Sequence, residues 1–414
     1  MNTKVVTENP ITNVYRRVNI EEGEIVIERL LLDVYLQPGI STKELARKTL
    51  LPVPLVAAIK SEFIKEGLLL QDRGIRLSAA GDEFVAVNLG FSGIDKELYQ
   101  QLLSAHTWEP PGVVLEPELA ELERIFYERP QVDVTIDQSK ATPLTSLKRA
   151  VLCLQNHSLI GKQIVCVGDD DLVSIAAGLL IKRLFTRPGI GQDGGGASTQ
   201  IHVLDIDRRF LDHIQDTARM YRLPVICHEA DLRRPVPAEL EGLFDACFTD
   251  PPYTIPGMAL FLSRGITLLK KKTGLPLFLS FAHKSPSFSL EMQQELLRMG
   301  LVIAESIPRF NQYEGAEIIG NTGQMIVLRT STKTKPVVNE LPQEQPLYTG
   351  ELKRTLRTYQ CQSCKQIIKV GFDKEYHTIE AVKKDGCPRC KNTIFDLVER
   401  SNIGRPTGEG DSGR

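Results

Sequence analysis

Apolar positions change their period along the chain, and each change marks a boundary. Between residues 22 and 88 they recur at three- and four-residue spacing. EIVIERLLLDVYLQPG, the stretch opened by Ser41 and Thr42, and PVPLVAAIKSEFIKEGLLL each present one apolar face, which predicts three helices. The third runs into a strand, DRG turns the chain and IRLSAAG returns, the pattern of a winged helix-turn-helix. Residues 89–140 read as helical and loop-like, punctuated by Pro110, Pro111 and Pro130. From about 141 to 330, short continuous apolar runs (KQIVCVGD, QIHVLDID, PVICHEAD, FDACFTD, PLFLSFA) alternate with helical stretches. That alternation predicts a mainly parallel sheet covered on both faces, and LVIAESIP with QMIVLRT would close one edge as an antiparallel pair. The fold class expected is α/β: a Rossmann-like domain of the S-adenosylmethionine-methyltransferase type with small units at either end.

The domain reading is a winged-helix-like unit over 1–88, a connecting segment over 89–140 and the Rossmann-like domain over 141–330. A linker over 331–354, a zinc ribbon over 355–400 and a disordered tail over 401–414 follow. The glycine-rich run 187–199 lacks the strand-turn-helix context of a phosphate loop and reads as a surface loop.

Composition narrows the partners. The 414 residues are 42% hydrophobic and 25% charged, with a formal net charge of −2, so the basic excess of a large nucleic-acid footprint is missing. On the third N-terminal helix Lys60 and Lys65 are balanced by Glu62 and Glu66, so the winged unit reads as a packing or dimerisation module and nucleic acid is not expected as a partner. No apolar run is long enough to span a bilayer and the first residues do not read as a signal peptide, which predicts a cytoplasmic protein with no membrane partner. Of eight cysteines, Cys153, Cys166, Cys227 and Cys247 sit singly in apolar stretches, as in a reducing compartment. Cys361-x2-Cys364 and Cys387-x2-Cys390 put two thiolates on each of two tight turns, the spacing of a closed, structural zinc site. His377 reads as an exposed loop residue.

In an open α/β sheet, ligands lie beyond the carboxyl ends of the strands near the switch point. The expected strand ends carry Asp169, Asp170 and Asp171, then Asp205 and Asp207, then Asp231, then Asp250, seven acids about one crevice. Asp205 can accept both hydroxyls of a ribose, and Asp231 is placed to receive an adenine amino group. In the first turn, VGDDD, only Gly168 is a glycine, and the acids after it would repel a ligand carboxylate and welcome a polycation. Asp171 has a second reading, as N-cap of the next helix. The fourth strand ends in Asp250-Pro251-Pro252-Tyr253, a pattern that grips a nitrogen nucleophile: the acid aligns its lone pair, the prolines stiffen the turn and the ring favours a nearby cation.

VDVTIDQSKATPLTSLKRAVLCLQN, GKQIVCVGDDDLVSIA, VLDIDRR, ADLRRPVP and FTDPPYT together resemble the branched-chain polyamine synthases, the N4-bis(aminopropyl)spermidine synthases of thermophiles, over roughly residues 20–330. The resemblance implies an aminopropyltransferase using decarboxylated S-adenosylmethionine as co-substrate and spermidine as acceptor, working as a homodimer. It implies that Asp170 in the aspartate turn is the catalytic acid, with Asp250 and Tyr253 beside it. By the same resemblance Gln138, Gly168, Asp169, Asp205 and Asp231 bind the donor, and Asp171, Pro251 and Pro252 the acceptor. The alternative is a nucleic-acid amino-methyltransferase, which shares a winged helix, PPY motif and zinc ribbon but calls for a glycine-rich first turn and a basic face. A regulator that senses a metabolite through the same fold would have no need of the PPY site.

Overall fold

The computed structural model describes residues 9–104, 113–133, 136–186, 198–315, 320–339, 347, 355–371, 374–376 and 379–402. His377, residues 187–197 of the glycine-rich run and 403–414 of the tail lie outside the described residues. Four helices open the chain, Pro10–Val18, Glu24–Leu36, Thr42–Thr49 and Val53–Lys65, followed by a hairpin of β1 (Leu69–Gln71) and β2 (Ile75–Leu77). The first of these helices precedes the span that the periodicity marks. Its Arg17 pairs with Glu62 at 3.4 Å and Glu66 at 2.6 Å on the fourth, and Lys65 also holds Glu62. The acids of that helix are thus turned to internal pairing.

Eight strands form the main sheet: β3 (Lys140–Ala141), β4 (Gln163–Val167), β5 (Gln200–Asp205), β6 (Val225–Glu229), β7 (Ala246–Thr249), β8 (Pro276–Ala282), β9 (Leu301–Glu314) and β10 (Thr322–Thr330). Their order is β3-β9-β10-β8-β7-β4-β5-β6. Strands β4 to β8 run parallel, while β10 is antiparallel to both β8 and β9. The chain steps outward from β4 through β5 to β6, then returns to place β7 on the other side of β4, so the switch point falls between the carboxyl ends of β4 and β7. The strand β3 straddles the expected boundary between the connecting segment and the Rossmann-like domain, and it pairs with the end of β9 through Ala141 and Tyr313.

β4, β7 and β8 are buried almost throughout, as a doubly covered sheet requires. One apolar core continues from Ile11 and Leu30 in the N-terminal helices through Phe91 and Leu152 to Ile175 and Val327, so the N-terminal unit shares a core with the sheet domain instead of standing apart. On the other face Met258 and Leu262, from helix Ile255–Leu268, pack on Val167 and Leu279. The segment read as a linker also packs: Val337 and Val338 donate backbone N–H to Ser263 Oγ on that helix, and Leu347 is buried against Leu260. Residues 355–402 form a three-stranded sheet ordered β12-β11-β13, from β11 (Thr355–Cys361), β12 (Ile367–Val370) and β13 (Phe395–Asn402). The last strand therefore extends two residues past the end expected at 400. Among the described residues no helix is long and apolar enough to cross a membrane.

Candidate active site

The turn after β4 determines the rest of the site. Gly168 has φ +76, the left-handed region in which a side chain is strained, while a Cβ there would meet Phe261 at an ordinary 3.5 Å. Backbone conformation, not space, selects the glycine. Its N–H donates to Leu204 O at 2.9 Å, and the three acids then diverge. Asp169 turns back over the helix Val173–Phe185 and accepts from Val173 N at 2.7 Å and Ser174 N at 3.1 Å. The helix cap is thus Asp169, where the sequence left Asp171 as the capping alternative; Leu172, at φ 54, occupies the capping position without a side-chain bond. Asp170 faces outward into the cleft and accepts from Ser139 N at 2.9 Å. Asp171 points into the protein.

What Asp171 meets there is a buried guanidinium. Arg149, on helix Pro143–Gln155, is 2% exposed and spends its donors on one cluster. Nη1 reaches Asp171 at 2.6 Å, Nη2 reaches Asp250 at 3.0 Å and Tyr313 at 3.2 Å, and Nε reaches Asn311 at 2.9 Å. Asp250 also accepts from the Tyr313 hydroxyl at 2.7 Å, and Tyr313 in turn accepts from Tyr253 at 3.0 Å. A charge this deep is tolerable only with such partners, because an unpaired buried ion costs several kcal/mol, about 3–5 in typical cases. The partners divide the acids. Burial works against ionising Asp250, but Arg149 and the hydrogen bonds from Asp171 and Tyr313 outweigh it and hold its carboxyl below the usual range. Asp171 is raised, chiefly by burial, so the two carboxyls of this pair are pushed in opposite directions. Asp170 is raised well above the usual carboxylate value, first by burial and then by the neighbouring Asp171, Asp205 and Asp250.

Of the seven strand-end acids, Asp170, Asp205, Asp231 and Asp250 line one cleft, together with Gln138, Gly168 and Pro252. Asp205 binds its own loop, accepting from Asp207 N at 2.8 Å and Asp169 N at 3.1 Å, and burial raises it. Asp231 accepts from Arg233 N at 2.9 Å. Asp207 caps helix Arg208–Tyr221 and takes a hydrogen bond from Gln138 Nε2 at 3.0 Å, which sets the rim of the cleft. Pro251 and Pro252 are both buried, and the Tyr253 ring lies edge-to-face on Phe281 at 5.2 Å. The apolar walls, Ile206, Leu232, Phe261 and Leu347, were not legible as site residues. Nor were Arg149 and Tyr313, although one signal existed: in PLTSLKRAVLCLQ, Arg149 shares a helix face with Ser146, Ala150 and Cys153, and a charge on a buried face demands a partner.

In the C-terminal unit the four sulfurs of Cys361, Cys364, Cys387 and Cys390 all lie within 4.8 Å of one another, with two Sγ–Sγ distances of 3.5 Å. Four thiolates at such spacing fit a tetrahedral ion with metal–sulfur bonds of about 2.3 Å.

The family described as "Branched-chain polyamine synthase A C-terminal domain" matches residues 118–383. An uncharacterized protein of Methanocaldococcus jannaschii is 36% identical over 400 residues, 95% of this chain and 93% of its own. The N(4)-bis(aminopropyl)spermidine synthase of the same organism is 31% identical over 268 residues, 63% of this chain and 70% of its own. Among solved structures, the branched-chain polyamine synthase of Thermus thermophilus, in complex with N4-aminopropylspermidine and 5'-methylthioadenosine, aligns with a TM-score of 0.47 at 24% identity, over 83% of this chain and 96% of its own. Because the family match covers well over half of the residues, this chain belongs to the branched-chain polyamine synthase family.

Proposed function

We propose that this protein transfers aminopropyl groups from decarboxylated S-adenosylmethionine to the central nitrogen of spermidine, giving N4-aminopropylspermidine and then N4-bis(aminopropyl)spermidine. The observation that carries the reading is the pair of carboxylates, Asp170 and Asp250, facing one cleft from the two strands that flank the switch point. In the donor half, Asp205 receives the ribose hydroxyls and Asp231 the adenine amino group. Ile206 and Leu232 supply apolar surface for the base, and Gln138 and Gly168 complete the rim. Acids where a carboxylate-binding glycine turn would stand favour a donor that has lost its carboxylate.

A secondary amine has a lysine-like pKa and must lose its proton before attack. Asp170, with its raised proton affinity, accepts that proton. Asp250 is kept anionic by Arg149 and Tyr313, and with the rigid Pro251-Pro252 turn it aims the nitrogen lone pair. The new N–C bond forms as the C–S bond breaks, and the electron pair leaves on sulfur as neutral 5'-methylthioadenosine. In the second transfer a tertiary amine becomes quaternary and has no proton to lose, so positioning and charge stabilisation by Asp250, Asp170 and Tyr253 dominate. The proposal extends to the ends of the chain: residues 1–88 act as a winged-helix packing unit, 355–400 as a zinc ribbon with a structural role, and the chain assembles as a homodimer. Single-turnover reactions with each donor test the reading. It predicts 5'-methylthioadenosine from decarboxylated S-adenosylmethionine and no methyl transfer from S-adenosylmethionine; methylation of an amine or a nucleobase overturns it.

A further inference from the structure

Beside the acid pair lies a group of aromatic rings holding a cation. Lys284, just past the end of β8, places its Nζ 5.6 Å from the Tyr253 ring centroid, 6.0 Å from Phe281 and 5.2 Å from Phe288. The three rings form one wall: Tyr253 stands edge-to-face on Phe281, and Phe281 stacks on Phe288 at 6.0 Å and 27°. They come from three elements, the turn after β7, the end of β8 and helix Pro286–Arg298. The wall is tied to the acid that faces the reacting nitrogen, because the Tyr253 hydroxyl donates to Tyr313 and Tyr313 donates to Asp250.

We propose that the rings of Tyr253, Phe281 and Phe288 form a subsite for a terminal primary ammonium arm of the acceptor, and that the Lys284 ammonium fills this subsite until the acceptor displaces it. The inference rests on the aminopropyl-transfer reading and adds the means by which the acceptor is gripped. A lysine side chain is a primary ammonium on a flexible four-carbon stem. The longer arm of spermidine, counted from N4, is the same group, so Lys284 is an in-chain copy of it. Aromatic faces attract such ammonium groups without needing a carboxylate, which separates an end-gripping site from the acids that act on the central nitrogen. While Lys284 occupies the rings its charge opposes entry of a second cation, and that opposition disfavours acceptors whose arm fails to reach the subsite.

The test measures acceptor KM with spermidine and with N-butyl-1,3-diaminopropane, which keeps the butyl arm but lacks its ammonium. Lys284→Met keeps length and removes the competing charge, so spermidine KM should fall by about two- to tenfold; Phe288→Leu removes a ring and should raise it by a similar factor. With the butyl acceptor the Phe288→Leu effect should vanish. Donor KM and 5'-methylthioadenosine affinity serve as controls for folding. A higher or unaltered spermidine KM in Lys284→Met, or equal Phe288→Leu effects on both acceptors, overturns the subsite. If the unmodified protein transfers no aminopropyl group to spermidine, the functional reading fails first; if it does and the variants behave alike, only the subsite fails.

Discussion

Replacing Tyr313 by Phe removes one oxygen from the densest part of the site and tests what the buried cluster is for. That hydroxyl donates to Asp250 at 2.7 Å, accepts from Tyr253 at 3.0 Å and lies 2.8 Å from Ser280 Oγ. A hydrogen bond to a charged group contributes about 1.5–3 kcal/mol, so its loss should weaken the anionic form of Asp250 by roughly one to two powers of ten. The sign follows from the direction of the shift. Asp250 is held below the usual carboxylate range, hence ionised at all but acid pH, and losing a donor to the anion moves it up. The variant should therefore lose about ten- to a hundredfold in kcat/KM for spermidine at the acid end of the working range and recover part of the deficit as pH rises. The acceptor's own deprotonation also raises the rate with pH, so the useful quantity is the ratio of variant to unmodified protein at each pH, from which that term cancels. Arg149 and Asp171, the other ionisable groups on Asp250, are the same in both proteins. A ratio that stays flat as pH falls from about 7 to about 4, the window in which a carboxyl raised by one to two powers of ten from below its usual range regains its proton, would refute the idea that Tyr313 acts by holding Asp250 ionised.

Other consequences can be checked separately. Asp170→Asn should lower the transfer rate by about 10²–10⁴ with 5'-methylthioadenosine affinity largely retained, and its first-transfer deficit should shrink at high pH; a rate within threefold of the unmodified protein would move proton acceptance to another group. Calorimetry should give decarboxylated S-adenosylmethionine at least about tenfold tighter binding than S-adenosylmethionine, about 1.4 kcal/mol, whereas equal affinities would remove the electrostatic argument for the acidic turn. Cys364→Ser should abolish zinc retention, measured by metal analysis, and expose the 355–402 segment to protease while transfer falls less than in Asp170→Asn. Retained metal in that variant would deny Cys364 its role as a ligand.

The sheet was legible because its central strands β4, β7 and β8 are apolar on both faces, because acids follow β4, β5 and β7 at or near their ends, and because the two last strands lack a helix between them. Local signals also gave the DPPY turn and the cysteine spacing, since each is a constraint on consecutive residues. What the sequence hid is long-range. Arg149 joins Asp171, Asp250 and Tyr313 across separations of 22, 101 and 164 residues, and no periodicity encodes such a meeting. The division of labour in the aspartate turn was hidden for a similar reason: three adjacent acids look alike until the left-handed backbone at Gly168 and Leu172 sends one to a helix end, one to the cleft and one to the guanidinium. The polar composition of 331–350 suggested a free connection, and only the tertiary contacts of Val338 and Leu347 show part of it packed on helix Ile255–Leu268.

The central claim is that the nitrogen aimed by Asp250 is the internal one. Purified protein incubated with decarboxylated S-adenosylmethionine and spermidine, its products resolved by tandem mass spectrometry, tests it most directly. The account predicts one and then two aminopropyl additions, with fragments that place both on N4 and 5'-methylthioadenosine released in equal number. Additions on a terminal nitrogen, giving a linear chain, or the absence of any aminopropyl product would contradict it.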